Sequence, residues 1–167
     1  ANAAWTRGPA RPENAPAIAR FLLDKDLCEY ATQALLVRKD KAVIPLFAEA
    51  LPKATGGCRL TILQALGVLQ AAKALPLVLK AVGDGDREVR LTAAAALANS
   101  GDPAAVDALL KAAEAESPYE RSQMTDTALL LARRLGEAGE KAGAERICRQ
   151  LLKARTGEGD VHVRCAA

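Results

Sequence analysis

Ala34-Leu35, Ala65-Leu66 and Ala96-Leu97 follow one another with a constant 31-residue offset, and the segments around them (28–36, 59–67 and 90–98) share one pattern. Ile44-Pro45-Leu46 and Leu75-Pro76-Leu77 repeat that offset, and Val106 continues it from Leu75. A period of this size means one supersecondary unit copied along the chain, each copy burying its apolar face against the next. The core is then a strip running the length of the molecule. Stacked units build extended surfaces, so binding is the expected work and bond chemistry is not.

The units are expected to be helical. Half of the 167 residues are apolar, yet aromatics make up only 3%. The residues that sheets favour are thin, whereas alanine, leucine and the long charged helix formers dominate. The length is that of one domain. A net charge of +3, from 23 basic and 20 acidic residues, is mild for a nucleic-acid binder. No apolar run reaches the ~18–20 residues that cross a bilayer. Cys28, Cys58, Cys148 and Cys165 are widely spaced without a CxxC, which argues against a disulfide framework.

Along the chain, residues 1–13 read as an extended lead-in, with Trp5 covering the first helix pair or a preceding segment. Helix pairs are expected at about 15–23 with 27–38, 41–52 with 58–70, 72–82 with 87–99, and 103–115 with 118–135. A fifth pair starts at about 142–154, and its second helix begins near Asp160. Thr55-Gly56-Gly57 reads as a helix stop and turn, and Gly136 to Gly143 as a loop. Asp86 is a plausible N-cap. Gly101, Asp102 and Pro103 fit a helix exit, a cap and a first helical position. Ser117-Pro118-Tyr119-Glu120 has the form of a capping box. The fourth pair is expected to leave the 31-residue register.

Asp84-Gly85-Asp86-Arg87-Glu88-Val89-Arg90, followed by Leu91 to Leu97, resembles a HEAT repeat of the short bacterial type. It is similar also to the HEAT-like repeats of phycobilisome lyases. The resemblance covers residues 15–115 well and 140–167 in part, where Gly157 to Arg164 repeats Gly83 to Arg90. Cys28 departs from it by standing in the arginine slot, and the fourth repeat by lacking the Val-Arg pair. The resemblance implies an all-α fold: a right-handed α-solenoid of about 4.5 helix pairs, with second helices on the concave side. Leu27, Cys58, Val89 and Val163 align as one core row, and Phe47, Val78, Leu109 and Cys148 as another. Arg59, Arg90 and Arg164 align one residue further on, where an arginine can bond to turn groups of the adjacent repeat. Residues 14–167 are expected to be a single HEAT-repeat domain. The apolar ending Cys165-Ala166-Ala167 lacks the polar cap of a terminal repeat, and Ala1-Asn2 carries no initiator methionine, so the chain is expected to be part of a longer array.

Each candidate for chemistry has a simpler structural reading. His162 is the single histidine, and a Cys148, His162, Cys165 zinc cluster lacks a clear fourth ligand. The repeat alignment places both cysteines in core rows and His162 at an exposed position. No GxSxG occurs, and Ser100 and Ser117 sit where helix stops and caps belong. Gly83-Asp84-Gly85 and Gly157-Glu158-Gly159 carry acids where a phosphate would lie. The acids Asp24, Asp26, Asp84 and Asp86 flank helix starts, where they complement the helix dipole. Arg133, Arg134, Lys141, Arg146, Arg149, Lys153 and Arg155 crowd the last third, interleaved with glutamates and without aromatic stacking residues. HEAT-like DNA glycosylases exist, but their cleft residues have no counterparts identified in this chain.

The sequence thus reads as a non-enzymatic scaffold without catalytic residues, metal or cofactor, presenting a concave helical face to a protein or peptide. Gln33, Arg38, Gln64, Gln70, Asn99 and Arg133 are the expected contact residues. Asp86, Arg59, Arg90 and Arg164 are the expected structural ones. A spacer within a larger protein, a lyase-like accessory and a nucleic-acid-binding module are the alternatives. Self-association through the uncapped C-terminal helix is a further expectation.

Overall fold

A computed structural model describes residues 12–37 and 40–167. Among them there is no strand, and ten α-helices follow one another in sequence-adjacent pairs. These are α1 (Ala15–Ala19) with α2 (Cys28–Leu36), α3 (Ile44–Ala50) with α4 (Gly56–Val68), and α5 (Leu75–Ala81) with α6 (Arg87–Ser100). They continue as α7 (Val106–Ala112) with α8 (Pro118–Glu137) and α9 (Lys141–Ala154) with α10 (Val161–Ala166). The chain is an all-α solenoid. Of the lead-in, Pro12–Asn14 forms one 3-10 turn where extended chain is expected, and Trp5 lies outside the described residues.

The period governs structure down to single turns. Each first helix of the central repeats opens with a 3-10 turn, at Lys41–Val43, Ala72–Ala74 and Pro103–Ala105, each one period after the last. Two of these turns have a visible cause. The Asp40 and Asp102 carboxylates accept from the backbone N–H groups of Ala42 (2.8 Å) and Ala104 (2.9 Å), donors that the start of a helix leaves without intrahelical partners. Pro45 and Pro76 then fall in the opening turn of α3 and α5, where a missing N–H costs nothing. Asp86 caps α6 by accepting from Glu88 N at 2.8 Å.

The helix exits follow the same spacing. Gly101 leaves α6 at φ +64°, and Gln70 holds the equivalent place after α4 at φ +48°. A left-handed glutamine costs about 1–2 kcal/mol relative to the right-handed region. Its amide partly offsets this by donating to Asn99 O of the next repeat at 3.4 Å.

Several expectations need correction. Gly56 and Gly57 open α4, with Thr55 before them, so this segment starts a helix and does not stop one. α8 runs to Glu137 and α9 begins at Lys141, which shortens the loop expected over 136–143. The fourth repeat holds the 31-residue register through the start of α8 and leaves it only by α8's greater length. The capping box does not form: Ser117 makes no side-chain cap bond, and the Glu120 side chain turns to another repeat. Leu27 is 37% exposed, and Cys28 takes the buried place in the first pair. Cys165 is exposed, since no further helix covers it among the described residues.

Packing sets the curvature. Phe47, Ile62, Leu66, Leu97, Leu109 and Leu135 are fully buried along one continuous core. Within it α4 lies along α6 and α6 along α8, whereas α3, α5 and α7 scarcely touch one another. A Cβ added to Gly67 would fall 2.9 Å from Ala96 Cα, so here two backbones pack with nothing between them. A stack held close on one side and open on the other bends toward the close side. The second helices therefore line the inner face and the first helices the outer.

Candidate functional site

Two surfaces follow from this geometry: a polar seam joining repeats at the starts of the second helices, and the open inner face beyond it.

The seam explains the arginine row. Arg59 pairs with the Asp84 carboxylate, in the next repeat's turn, at 2.7 Å. Arg90 donates to its own turn, at Asp84 O (2.8 Å) and Gly85 O (3.0 Å), and grips Glu120 of the next repeat bidentately at 2.6 and 2.8 Å. Arg87 lies over the Tyr119 ring, 5.4 Å from its centre, across the same junction. Arg164 donates to Gly157 O (2.7 Å) and Arg155 O (3.1 Å), so it ties its own turn to the end of α9. Arg155 reaches the Ala113 carbonyl and Thr125 Oγ1. These bonds, with the Asp86 cap, hold turns and join neighbouring repeats.

Glu120 was overlooked by sequence reasoning although the period points to it. It stands one period after Val89, in the row of Cys58 and Val89, and is a buried acid in an apolar place. Arg121 falls in the arginine slot. The fourth repeat therefore keeps its arginine and exchanges the valine for a glutamate that pairs with the repeat before.

The hydrogen bonds from Arg90 hold the Glu120 carboxyl below the ordinary glutamate range, against the opposing effect of its burial. Asp84 is lowered as well, first by the Asp86 backbone N–H and then by Arg59. For a depressed carboxylate, the unfolded chain takes up its proton first as pH falls. Its contribution is thus present above the unfolded value, about 4.3 for glutamate, and is lost as pH drops through the folded value. Glu120→Gln is expected to cost about 1.5–3 kcal/mol near neutral pH, the scale of a hydrogen bond to a charged group. It should also reduce the acid-side slope of stability below about pH 4 without removing it, since Asp84 remains. Urea unfolding of both proteins across pH 3–7 measures this, and an unchanged slope would remove the pair from the account.

The inner face repeats in rows. Tyr30, Thr61, Thr92 and Gln123 form one row, Gln33, Gln64, Ala95 and Asp126 a second, and Val37, Val68, Asn99 and Leu130 a third. Positions three and four apart share a helix face, and this face lies opposite the buried positions such as Ile62 and Leu66. Tyr30 is 64% exposed, Val37 62% and Val68 56%. Of the expected contact residues, Gln33 and Gln64 are exposed on this face and Asn99 is half-buried on it. Arg133 is exposed beyond Leu130 and lies near Glu137 (3.9 Å). Gln70 serves the helix exit, and Arg38 lies outside the described residues. The apolar members Val37, Val68 and Leu130 were missed because exposed valines and leucines read as core in a periodic sequence.

The remaining candidates are scattered. Burial, with the neighbouring Cys58 thiol adding to it, pushes the Cys28 thiol up to about 11, so it stays protonated at neutral pH and is a poor nucleophile. Cys58 donates to Asp24 O at 3.6 Å. Cys148 is half-buried, while His162 is exposed, with Nδ1 3.1 Å from Gly159 O. Among the described residues no group of three metal-ligating side chains converges, and no helix is long and apolar enough to cross a membrane. In the basic last third, Arg134 lies near Glu137, Arg146 pairs with Asp107, and Arg149 lies near Glu145.

Serial helix pairs with an open inner face define an α-solenoid repeat protein. The sequence profile of HEAT repeats matches residues 44–129, just over half of the chain, and the chain belongs to the HEAT repeat family. HEAT repeats generally mediate protein–protein interaction, and the family is typically non-catalytic. No curated protein matches the sequence.

Proposed function

We propose that this chain is a non-enzymatic scaffold that binds a partner protein along the inner face of α2, α4, α6 and α8. One observation carries the reading. Among the described residues, four successive second helices leave the same three rows exposed or half-buried while the opposite rows are buried, which gives a surface that no described element covers. The family's general role in protein–protein interaction supports it. Gln33, Gln64, Asn99 and Arg133 are the proposed polar contacts, joined by Val37, Val68 and Leu130. Such a stack acts by holding a surface in fixed geometry, so a partner need not pay to organise it.

Affinity capture from a lysate of the source cells, with the wild type beside a Gln64→Glu/Arg133→Glu double variant, tests this. A protein retained by the first and lost by the second, at unchanged melting temperature, is the expected result. A partner held equally by both would place binding elsewhere. Absence of any enriched protein would favour a spacer, and recovered nucleic acid would shift attention to the basic last third.

A further inference from the structure

Cys28 and Cys58 stand 30 residues apart, the spacing of the Arg90–Glu120 ion pair. The match is one of register. Cys28 occupies the arginine slot of its repeat, with Arg59 and Arg90, and Cys58 the buried row of Val89 and Glu120. The same two places recur at each junction from α2 to α8, filled by Cys28 and Cys58, by Arg59 and Val89, and by Arg90 and Glu120. Arginine and glutamate suit one another and bond bidentately. Arginine and valine do not, and Arg59 turns to Asp84 instead. At the first junction a thiol meets a thiol.

The geometry brings the two cysteines to one atom. Asp24 O, in the turn before α2, accepts from Cys28 N at 2.8 Å and from Cys58 Sγ at 3.6 Å. Both residues are buried, and the Cys58 thiol stands close enough to reinforce the burial that pushes the Cys28 thiol up to about 11. Of the junctions α2–α4, α4–α6 and α6–α8, the first is the least extensive. Thr32 Oγ1, one turn along α2 from Cys28, is buried without a hydrogen-bond partner, which costs the packing of α2 further stability.

We infer that Cys28 and Cys58 form a redox site, closing to a disulfide that locks the first helix pair onto the second and reopening under a thiol reductant. This stands apart from the protein-binding reading. The oxidant is a small-molecule disulfide. While α2 lies on α4 both thiols are shielded from solvent, so exchange proceeds through local opening of that junction. One cysteine gives its proton to water, and its thiolate attacks a sulfur of the small disulfide. The S–S bond of the reagent breaks, one small thiolate leaves and a mixed disulfide remains. The second cysteine, likewise deprotonated, attacks the protein sulfur of that mixed disulfide and expels the second small thiolate. The two small thiolates take up the two protons, and two electrons have passed from the protein pair to the reagent. The new bond holds α2 to α4 at the slot where α4 and α6 carry Arg59 and Arg90. It removes the partly open forms that a linear stack otherwise allows.

The test equilibrates the protein with oxidised glutathione at slightly alkaline pH, with and without a low concentration of urea. It is run on a Cys165→Ser background, because that exposed thiol would form mixed and intermolecular disulfides of its own. Free thiols are trapped by alkylation, and the unreduced protein is digested for mass spectrometry. Expected are the loss of two alkylatable thiols, a peptide pair joining Cys28 to Cys58, its disappearance after dithiothreitol, and faster formation in urea. The oxidised protein should melt roughly 5–15 °C above the reduced one. Cys28→Ala and Cys58→Ala should each abolish that difference, and the peptide mapping needs neither variant.

Two thiols still free after prolonged exposure in urea, or carrying glutathione only as separate mixed disulfides, would make the pair an inert part of the core and overturn the site. A Cys28–Cys58 disulfide that leaves the melting temperature unchanged or lowers it would overturn the lock.

Discussion

Replacing Gly67 with leucine is expected to destabilise the array and to split its unfolding into two steps. The added Cβ alone would lie 2.9 Å from Ala96 Cα and 3.1 Å from its Cβ, and a backbone atom cannot rotate aside as a side-chain tip can. Overpacking typically costs about 1–3 kcal/mol, occasionally more, and a four-carbon side chain against backbone belongs at the upper end. Gly67→Ala offers a graded comparison. Alanine gains about 1 kcal/mol of helix propensity over glycine, so a net loss in that variant isolates the cost of contact. Adding Ala96→Gly should recover part of it, because the nearer contact is to Cα.

The two-step behaviour follows from the linear architecture, in which stability is a sum of unit terms and nearest-neighbour junctions. The α4–α6 junction is the most extensive between second helices. Weakening it should let α1–α4 unfold at lower denaturant than the remainder. Urea titration followed by circular dichroism would show a single transition in the wild type and two in the leucine variant. One transition with an unchanged midpoint would mean that the close approach is not needed.

Phe47→Ala is expected to give the largest loss of stability from truncation. Phe47 is fully buried on α3, inside the strip of core that joins the first and second pairs. Removing a buried phenyl ring costs about 3–5 kcal/mol, from lost transfer free energy and from a cavity that a rigid stack fills poorly. For a chain of this size the melting temperature should fall by on the order of 10 °C. Val78→Ala, at the equivalent place one repeat later, removes less volume and should cost less. Scanning calorimetry of the two variants orders them, and a reversed order would show that the first pair is only loosely docked.

The helices were legible in the sequence because one period fixes both their spacing and their chemistry. Asp86, Gly101, Asp102 and Pro103 sit where capping rules place them, and the expected second helix near Asp160 starts within one residue of that position. What escaped was tertiary. Glu120 reads locally as half of a capping box with Ser117, and only Arg90, in another repeat, explains its buried place. Gln70 reads as a free surface amide, and only its positive φ marks it as a helix exit. The inner rows were half seen. Gln33 and Gln64 stand out by polarity, whereas Val37 and Val68 are apolar residues on an exposed face, which periodicity assigns to the core. Nothing in the local pattern around Gly67 shows that the Ala96 backbone lies against it.

The unequal packing on the two sides of the stack also has a mechanical consequence. The second helices touch along their length, Arg90 of α6 pairs with Glu120 of α8, and Arg59 of α4 pairs with Asp84 in the turn before α6, so they form a spine that resists extension. α3, α5 and α7 scarcely meet, so spreading or closing them breaks few contacts. Tension applied to the two ends should therefore change the bend of the molecule long before it separates any helix from its pair. The array is compliant in one direction and stiff in the other, as a leaf spring is.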